Sequence, residues 1–364
     1  MAVIAMMLAA TGARAQGPRV AAEWLGTETG SAGGVAITTD GGIVAAGRGA
    51  HGPRIVRFGS GLRVLEDWSI PGSDAWPKAV AAPPGAVAVV AGPADPVGRE
   101  HGIAVWRLRL EHDGRLGQDW MRRFRRSALD GGTGAVALDD GGLVVVGWTG
   151  GRDGPNGGAW MLRLDPDGEP TWRRLALPVV ADGVFEARAA ARTEDGGLLV
   201  AAYGAPAAGV AGGAWVMHFD GDGKELSQVV VDEAADEQPL AVAALAEGWA
   251  VAGRIGPAEG TGASEAWLVR CSDAGRVLWE RRWSGDGRLT ALAPLPDGGL
   301  LAAGALGGEL FLARIDPEGA SVWERRFGRG AVNGLALRAD GVAVAAGEKL
   351  VSGRTRMWVA EIAY

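Results

Sequence analysis

The chain has 364 residues, of which 48% are hydrophobic, and its formal net charge is −7. Nucleic acids and anionic membrane surfaces bind to basic faces, so this charge makes neither an expected partner. The single cysteine, Cys271, excludes an internal disulfide and a zinc site built from cysteines alone. The glycines stand in register beside Val, Leu and Trp, which is typical of turns between buried strands.

A short apolar run opens the chain at residues 3–10 and is followed by Ala13-Arg14-Ala15. This small-x-small pattern is typical of a signal-peptidase site, so we expect cleavage before Gln16 and a periplasmic or secreted protein. The run is too short to span a bilayer. No Lys or Arg precedes it, which leaves open a natural start further upstream or a segment that is not a signal. The predicted organisation is a signal peptide at 1–15 and one domain at 16–364.

One half of a repeat is a tight turn followed by a hydrophobic strand, as in DGGLVVVG (140–147) and DGGLLAAG (297–304). Seven copies end in a glycine at positions 47, 92, 147, 204, 253, 304 and 347. The average spacing of about 50 residues is near the length of a propeller blade.

The other half of the repeat is a hairpin, as in AWMLRLDPDGEPTW (159–172) and AWLVRCSDAGRVLW (266–279). Alternating apolar residues predict strands, and the Asp and Gly residues between them predict a turn. Each repeat therefore supplies four strands, labelled a to d from the central axis outward. Strand a precedes the DGG turn, strand b ends in the closing glycine, and strands c and d carry the tryptophans.

The last copy of the hairpin, residues 357–364, stops after strand c, whereas residues 18–26 match the missing strand d. We therefore predict an all-β fold, a seven-bladed β-propeller of four-stranded antiparallel blades, closed by pairing of the N-terminal strand with the C-terminal blade. Strand a begins with a small residue in six repeats, as strands crowded around an axis require. These residues are Gly34, Gly134, Ala189, Ala241, Ala291 and Gly334.

The pairing of DGG…AG with AWxxRLDxxGxxxW resembles the repeats of exported bacterial propeller proteins. The form LDPDGEPTW (164–172) is similar to the tryptophan-docking repeat of pyrroloquinoline-quinone-type propellers. The resemblance covers nearly the whole mature chain and implies the fold. It implies no single activity, because such repeats also build proteins that bind no quinone, including scaffolds of the bacterial envelope. The quinone dehydrogenases of this type are expected to have a larger ring and often an adjacent cysteine pair.

Several motifs that suggest chemistry have a simpler structural interpretation. The sequences Asp165-Pro-Asp167-Gly168 and Asp220-Gly-Asp222-Gly223 resemble parts of a calcium loop, but neither continues to a distal glutamate. We interpret them as c–d turns. The histidines lack zinc spacing, and no serine has a nucleophile-elbow context, so we expect no metal and no cofactor. Arginine pairs on strand d, at 122–123, 173–174, 281–282 and 325–326, are interpreted as a solvated edge.

The d–a and b–c loops vary between repeats, and both kinds of loop lie on one side of the disc, the variable face. Variable loops on a rigid scaffold are where binding usually resides. Trp76 and Trp148 are predicted in loops of this face, where a tryptophan can anchor a partner or cap the end of its blade. We predict that the face displays Arg48, Trp76, Arg99, His101, Trp148, Arg152, Phe185, Asp236, Glu237, Arg254, Glu259 and Glu348.

The sequence favours a non-enzymatic, exported, monomeric scaffold that binds a protein or polysaccharide partner through the variable face. The alternative is an enzyme with its site at the mouth of the channel. Such an enzyme would be a carbohydrate-active enzyme that uses two carboxylates, or a quinone-dependent oxidoreductase. A co-purified ligand would separate these classes.

Overall fold

The computed structural model describes residues 17–70, 73–93, 102–127, 129–150, 157–177, 183–205, 212–231, 236–256 and 263–364. They form 27 β-strands and one short 3₁₀ helix, Ser60–Leu62. The predicted signal peptide at 1–15 lies outside the described residues. Within the described ranges, no helix has the length and apolar character needed to cross a membrane.

The strands form five four-stranded antiparallel sheets, which we call blades, and one seven-stranded sheet that contains two further blades. Strand β1 (Arg19–Thr29) comes first and belongs to the last blade. The next three blades are β2 (Ser31–Ile37), β3 (Ile43–Gly49), β4 (Gly52–Phe58) and β5 (Val64–Ser69); β6 (Ala75–Ala81), β7 (Ala86–Pro93), β8 (Ile103–Leu110) and β9 (Leu116–Phe124); and β10 (Asp130–Ala137), β11 (Leu143–Thr149), β12 (Gly158–Leu164) and β13 (Pro170–Ala176).

The remaining blades follow the same order from strand a to strand d. The fourth blade consists of β14 (Val184–Arg192), β15 (Leu198–Ala205), β16 (Gly213–Phe219) and β17 (Glu225–Val231), and the fifth of β18 (Glu237–Ala244), β19 (Trp249–Ile255), β20 (Glu265–Cys271) and β21 (Val277–Trp283). The sixth blade consists of β22 (Gly287–Pro294), β23 (Leu300–Leu306), β24 (Glu309–Ile315) and part of β25 (Ser321–Leu337). The seventh blade consists of the rest of β25 with β26 (Val342–Val351), β27 (Arg354–Ala363) and β1. Strand β25 pairs with both β24 and β26, so it is strand d of the sixth blade and strand a of the seventh.

The N-terminal strand β1 pairs antiparallel with β27, from Arg19 opposite Ala363 to Thr29 opposite Arg356. Trp24 on β1 packs edge-to-face on Phe58 of the first blade, with ring centroids 5.0 Å apart. The indole of Trp358 also donates a hydrogen bond of 2.7 Å to Glu23. Strand β1 is therefore the outer strand of the seventh blade, as the sequence predicts, and it also contacts the first blade.

Every strand a contains a β-bulge at the same point of its pairing with strand b. In six blades the residue after the bulge is the small residue noted in the sequence, and in the remaining blade it is Ala79. A Cβ added to Gly34 would lie 2.9 Å from the backbone nitrogen of Val80 in the next blade. The inner strands thus approach one another too closely for a larger side chain at this position.

The closing glycine of strand b has a related cause. A Cβ on Gly47 would lie 1.9 Å from the carbonyl oxygen of Ser31, and one on Gly147 would lie 2.0 Å from that of Gly131. These glycines stand opposite the residue that precedes the bulge. The bulge brings the strand a carbonyl towards strand b in these blades, whereas Ala91 and Ala202 stand at the equivalent place in the second and fourth blades, so the position is restricted to small residues.

Neighbouring blades are joined through strand d and the next c–d turn. The indole nitrogen of Trp120 donates to the carbonyl of Pro166 at 2.9 Å, and Arg122 donates to the carbonyl of Asp167 at 2.9 Å. Trp279 and Arg281 repeat this arrangement on the turn of the following blade. The interpretation of the arginine pairs as a solvated edge is therefore wrong for Arg122, Arg174 and Arg281, each two residues after a tryptophan, because these arginines connect blades.

The turn interpretation of the calcium-like sequences agrees with the hydrogen bonds. Asp165 accepts hydrogen bonds from the backbone nitrogens of Asp167 at 3.0 Å and Glu169 at 2.8 Å. Asp220 accepts the equivalent bonds in the next blade. These carboxylates therefore stabilise the turn backbone that the neighbouring tryptophan contacts.

Deleting residues 18–26 should expose the edge of β27, whose Trp358 and Val359 are fully buried. We expect aggregation and a melting temperature lower by about 10 °C or more, since each kcal/mol lost shifts the melting temperature by roughly 2–4 °C in chains of this size or somewhat smaller. Circular dichroism during heating, with light scattering, measures both effects. The control is Val20→Thr, on the same strand but 45% exposed, which should melt like the wild type. An unchanged melting temperature after the deletion would contradict the role given to β1.

Candidate functional site

The bulge in each strand a adds one residue, and all seven added residues line a cavity on the central axis. We call this set the bulge ring. Its chemistry varies from blade to blade, whereas the following residue is always glycine or alanine. The bulge ring consists of Gly33, Lys78, Thr133, Arg188, Leu240, Thr290 and Asn333.

Three members of the bulge ring connect one blade to the next. Thr133 donates to the carbonyl oxygen of Ala187 at 2.8 Å, and Asn333 donates to that of Ala32 at 2.8 Å. Thr290 makes the equivalent bond to the seventh blade. In each case the acceptor is the residue immediately before the bulge of the following blade. These polar side chains therefore have a structural role that accounts for them.

The cavity inside the inner strands has a volume of about 460 Å³ and is lined by residues of all seven blades. Its walls are mostly glycine, alanine, valine and leucine, and Trp76 also lines it. Of the described residues that line it, only Lys78 and Arg188 are charged. The cavity therefore has a positive electrostatic character set by two side chains.

Lys78 lies against the indole of Trp76, with its Nζ 3.8 Å from the ring centroid. The guanidinium of Arg48 approaches the same ring at 5.9 Å. Lys78 reaches the water of the channel, but the surrounding strands displace part of the hydration shell of its ammonium. This desolvation, with repulsion from Arg188 as the second cause, lowers the pKa of Lys78 to about 8.

A polar network lies beside the cavity on the fourth and fifth blades. Arg188 forms an ion pair of 2.5 Å with Glu186. The hydroxyl of Tyr203 donates to Asp236 at 2.7 Å, and burial, with this hydrogen bond, raises the pKa of Tyr203. Gln238 connects the network by donating to Asp236 at 2.8 Å.

Arg254 extends this network towards the sixth blade. Its Nε donates to the side-chain oxygen of Gln238 at 3.0 Å. Burial lowers the pKa of Arg254, and repulsion from Arg288 and Arg188 adds to this effect. Cationic side chains of three blades therefore act on one another around the mouth of the channel.

Four of the residues predicted for the variable face share one position of the propeller. Arg48, Trp148, Arg254 and Glu348 each lie on strand b opposite the residue that stands two places before the bulge. Tyr203 occupies this position in the fourth blade. The structure thus brings these predicted residues to equivalent places around the mouth.

Other predicted residues are placed differently. Trp76 lies in β6 and Trp148 in β11, so their predicted placement in loops is wrong, although both stand at strand ends on the variable face and are half-buried. Phe185 is buried in the core and packs edge-to-face on Trp215 at 5.6 Å, so the prediction that the face displays it is wrong.

Two predicted acidic residues are buried. Glu237 is completely shielded from solvent in β18. Asp236 is only 9% exposed, and its carboxylate accepts the hydrogen bonds of the polar network. Neither is displayed to a partner. The predicted residues Arg99, His101, Arg152 and Glu259 lie outside the described residues.

The site residues predicted from the sequence do not include Lys78, Arg188 or Arg288. The sequence could have indicated Lys78 and Arg188, because each immediately precedes the small residue of strand a. Alignment of the repeats on that small residue places both in one column with Gly33 and Thr133. The residues of this column share no motif, so the repeat pattern did not mark them.

The fold was compared with solved structures. A catalytically inactive virginiamycin B lyase from Staphylococcus aureus, solved with quinupristin, has a TM-score of 0.58 at 10% identity over 95% of this chain and 99% of the lyase. A protein of unknown function from Dyadobacter fermentans has a TM-score of 0.57 at 13% identity over 95% and 99%. Chaetomium thermophilum Sqt1, bound to the N-terminus of a ribosomal protein, has a TM-score of 0.53 at 14% identity over 90% and 85%.

No protein-family model matches the chain, and no curated protein matches it. The structural likenesses are below the identity at which function can be transferred, and they show the fold alone. The chain has the fold of a β-propeller.

The lowered pKa of Lys78 can be tested by amine acylation, because the chain has three lysines, Lys78, Lys224 and Lys349. At pH 8 about half of the Lys78 amines are neutral and nucleophilic. The Nζ of Lys349 is paired with Glu23. With limiting acetic anhydride, we expect Lys78 to react about 10-fold faster than Lys349, as measured by peptide mass spectrometry.

Lowering the pH from 8 to 6 protonates Lys78 and should slow its acylation roughly 50-fold, because the neutral fraction of its amine falls from about one half to about one hundredth. Equal rates for Lys78 and Lys349 at pH 8 would contradict the pKa assigned to Lys78.

Proposed function

We propose that this protein is a non-enzymatic exported propeller that binds a protein or polysaccharide partner through the variable face around the channel mouth. One observation carries the proposal. The side chains that depart from the repeat, among them Arg48, Trp148, Arg254 and Glu348, collect at one equivalent position on this side of the disc. Differences that serve packing alone would have no reason to gather on one face.

The chemistry of the mouth supports binding. Arg48 is exposed, Trp76 and Trp148 are half-buried, and the cationic groups of Arg48 and Lys78 lie over the ring of Trp76. Arginine and tryptophan dominate the energetics of binding sites because each combines a large contact area with directed polar groups. The opposite side of the disc consists of DGG and c–d turns that repeat from blade to blade.

The scaffold is suited to a rigid binding face. We propose that β1 closes a ring of seven blades by its pairing with β27, and that the tryptophan and arginine contacts between blades hold neighbouring blades in register. A face held in this way loses little conformational entropy on binding.

The nearby carboxylates support an acid/base enzyme less well. Asp236 accepts hydrogen bonds from Tyr203, Gly212 and Gln238, and Glu186 is paired with Arg188. A general acid or base needs a proton that it can exchange with a substrate. The oxygens of both groups are instead engaged by neighbouring side chains and backbone of the protein. Sqt1 bound to a ribosomal protein shows that a propeller fold of this kind can bind a protein segment.

The test compares wild type with the double variant Arg48→Ala/Trp148→Ala on peptide and glycan arrays. We expect signals that the wild type gives to fall about 10-fold or more in the variant, because both changed side chains lie at the mouth. The control is Arg115→Ala, on the opposite side of the disc and with a side chain 77% exposed, which should keep every signal.

Circular dichroism must show that the double variant melts within a few degrees of the wild type. Unchanged array signals in a folded double variant would remove the support for binding through this face.

A further inference from the structure

We propose that the axial cavity behind the mouth is an anion-binding site in which Lys78 and Arg188 hold the carboxylate or phosphate oxygens of a ligand. This inference rests on the proposed binding function and deepens it, because it names the chemistry of the ligand. The site is the cavity of about 460 Å³ that residues of all seven blades line.

The side chains of the bulge ring have different roles in different blades. In three blades the added side chain, Thr133, Thr290 or Asn333, donates a hydrogen bond to the next blade. Lys78 and Arg188 occupy the same structural position without making that bond. Their chemistry is therefore not required for contact between blades, since Gly33 and Leu240 occupy the position in other blades without a polar group.

The cavity carries positive charge. Lys78 forms no hydrogen bond and no ion pair with the described residues, and its contact is with the face of Trp76, 3.8 Å away. Arg188 uses one NH2 group to bind Glu186 and repels Lys78 across the cavity. Of the described lining residues none is acidic. Two cations that repel each other in a confined space are stabilised by an anion between them.

Further cationic side chains lie around the cavity. Arg254 lies close enough to Arg288 and Arg188 for their repulsion to add to burial in lowering its pKa, while Asp236 and Asp286 act in the opposite direction. An anion that approaches the mouth therefore meets attractive charges before it reaches Lys78 and Arg188. Guanidinium and ammonium groups bind carboxylate and phosphate oxygens with short, charge-assisted hydrogen bonds.

A cavity of this volume accommodates a small organic anion or a terminal unit of a larger one. The anion could come from two sources, a free small anion or a uronic acid unit of an acidic polysaccharide. Both present anionic oxygens to Lys78 and Arg188.

The experiment is titration calorimetry of the full chain in low salt with citrate, pyrophosphate and trigalacturonate, and with maltotriose as the neutral match for the trisaccharide. We expect at least one of the three anions to bind and maltotriose to bind at least 10-fold more weakly. Binding of citrate or pyrophosphate alone assigns a free small anion, and binding of trigalacturonate alone assigns the polysaccharide. Trp76 lines the cavity, so its fluorescence should change during the titration.

The variants Lys78→Gln and Arg188→Gln should each weaken anion binding about 10-fold to 100-fold, since each removes one charged hydrogen-bond donor. The matched control Arg115→Gln removes the same charge from the opposite side of the disc and should bind like the wild type. Lys78→Gln should also melt at the wild-type temperature or above, because it removes a repelled cation.

The inference is overturned if the wild type binds none of the three anions, or if both cavity variants bind them as the wild type does. Its failure is distinct from that of the proposed function. Arg48→Ala/Trp148→Ala tests the face on arrays and leaves both cavity cations in place. Loss of array signals in that variant, with no anion titration in the wild type, would reject the cavity site and retain the binding face.

Discussion

The close approach of seven inner strands at the axis is the constraint on which the rest of the structure depends. Each strand a can pass its neighbours only where it carries glycine or alanine, as at Gly34 and Ala189. A β-bulge precedes each of these residues and adds one side chain at the cavity. The same bulge restricts the facing position of strand b to glycine, as at Gly47, or alanine, as at Ala91 and Ala202. Crowding thus limits two positions of every blade to small residues and leaves the bulge residue free to differ.

A second interaction transmits this order to the rim. The strand d tryptophan and the arginine two residues later reach the next c–d turn, as Trp120 and Arg122 do with Pro166 and Asp167. The turn is stiffened from within by its own aspartate, Asp165. Each contact joins an exposed outer strand to a neighbouring blade, so the blades are fixed both at the axis and at the rim. Function can then vary on the mouth without loss of the scaffold.

The fold could be predicted from the sequence because its rules repeat. Copies of DGG, the closing glycine and the paired tryptophans gave strand order and the partner of residues 18–26, and β1 lies on β27 accordingly. The site could be predicted only in part. Arg48, Trp148, Arg254 and Glu348 were found as departures from the repeat, whereas the position of Phe185 after a loop did not reveal that its ring turns into the core against Trp215. Lys78 and Arg188 were missed because a bulge shifts register by one residue, and alternation alone cannot locate it.

Lys78 differs in one respect from most charged residues of the chain. Arg122 connects blades, and Arg57 binds Asp40 beside a DGG turn, so both have a structural partner that explains them. Lys78 instead stacks on Trp76 in a channel that lowers the pKa of its ammonium, and Arg188 repels it. A lowered lysine pKa means that the folded state disfavours the charged form, so Lys78 weakens the fold at neutral pH. The fold tolerates glycine, threonine or leucine at the same ring position. A cation that destabilises a position where neutral residues fit equally well is best explained by a ligand that neutralises it.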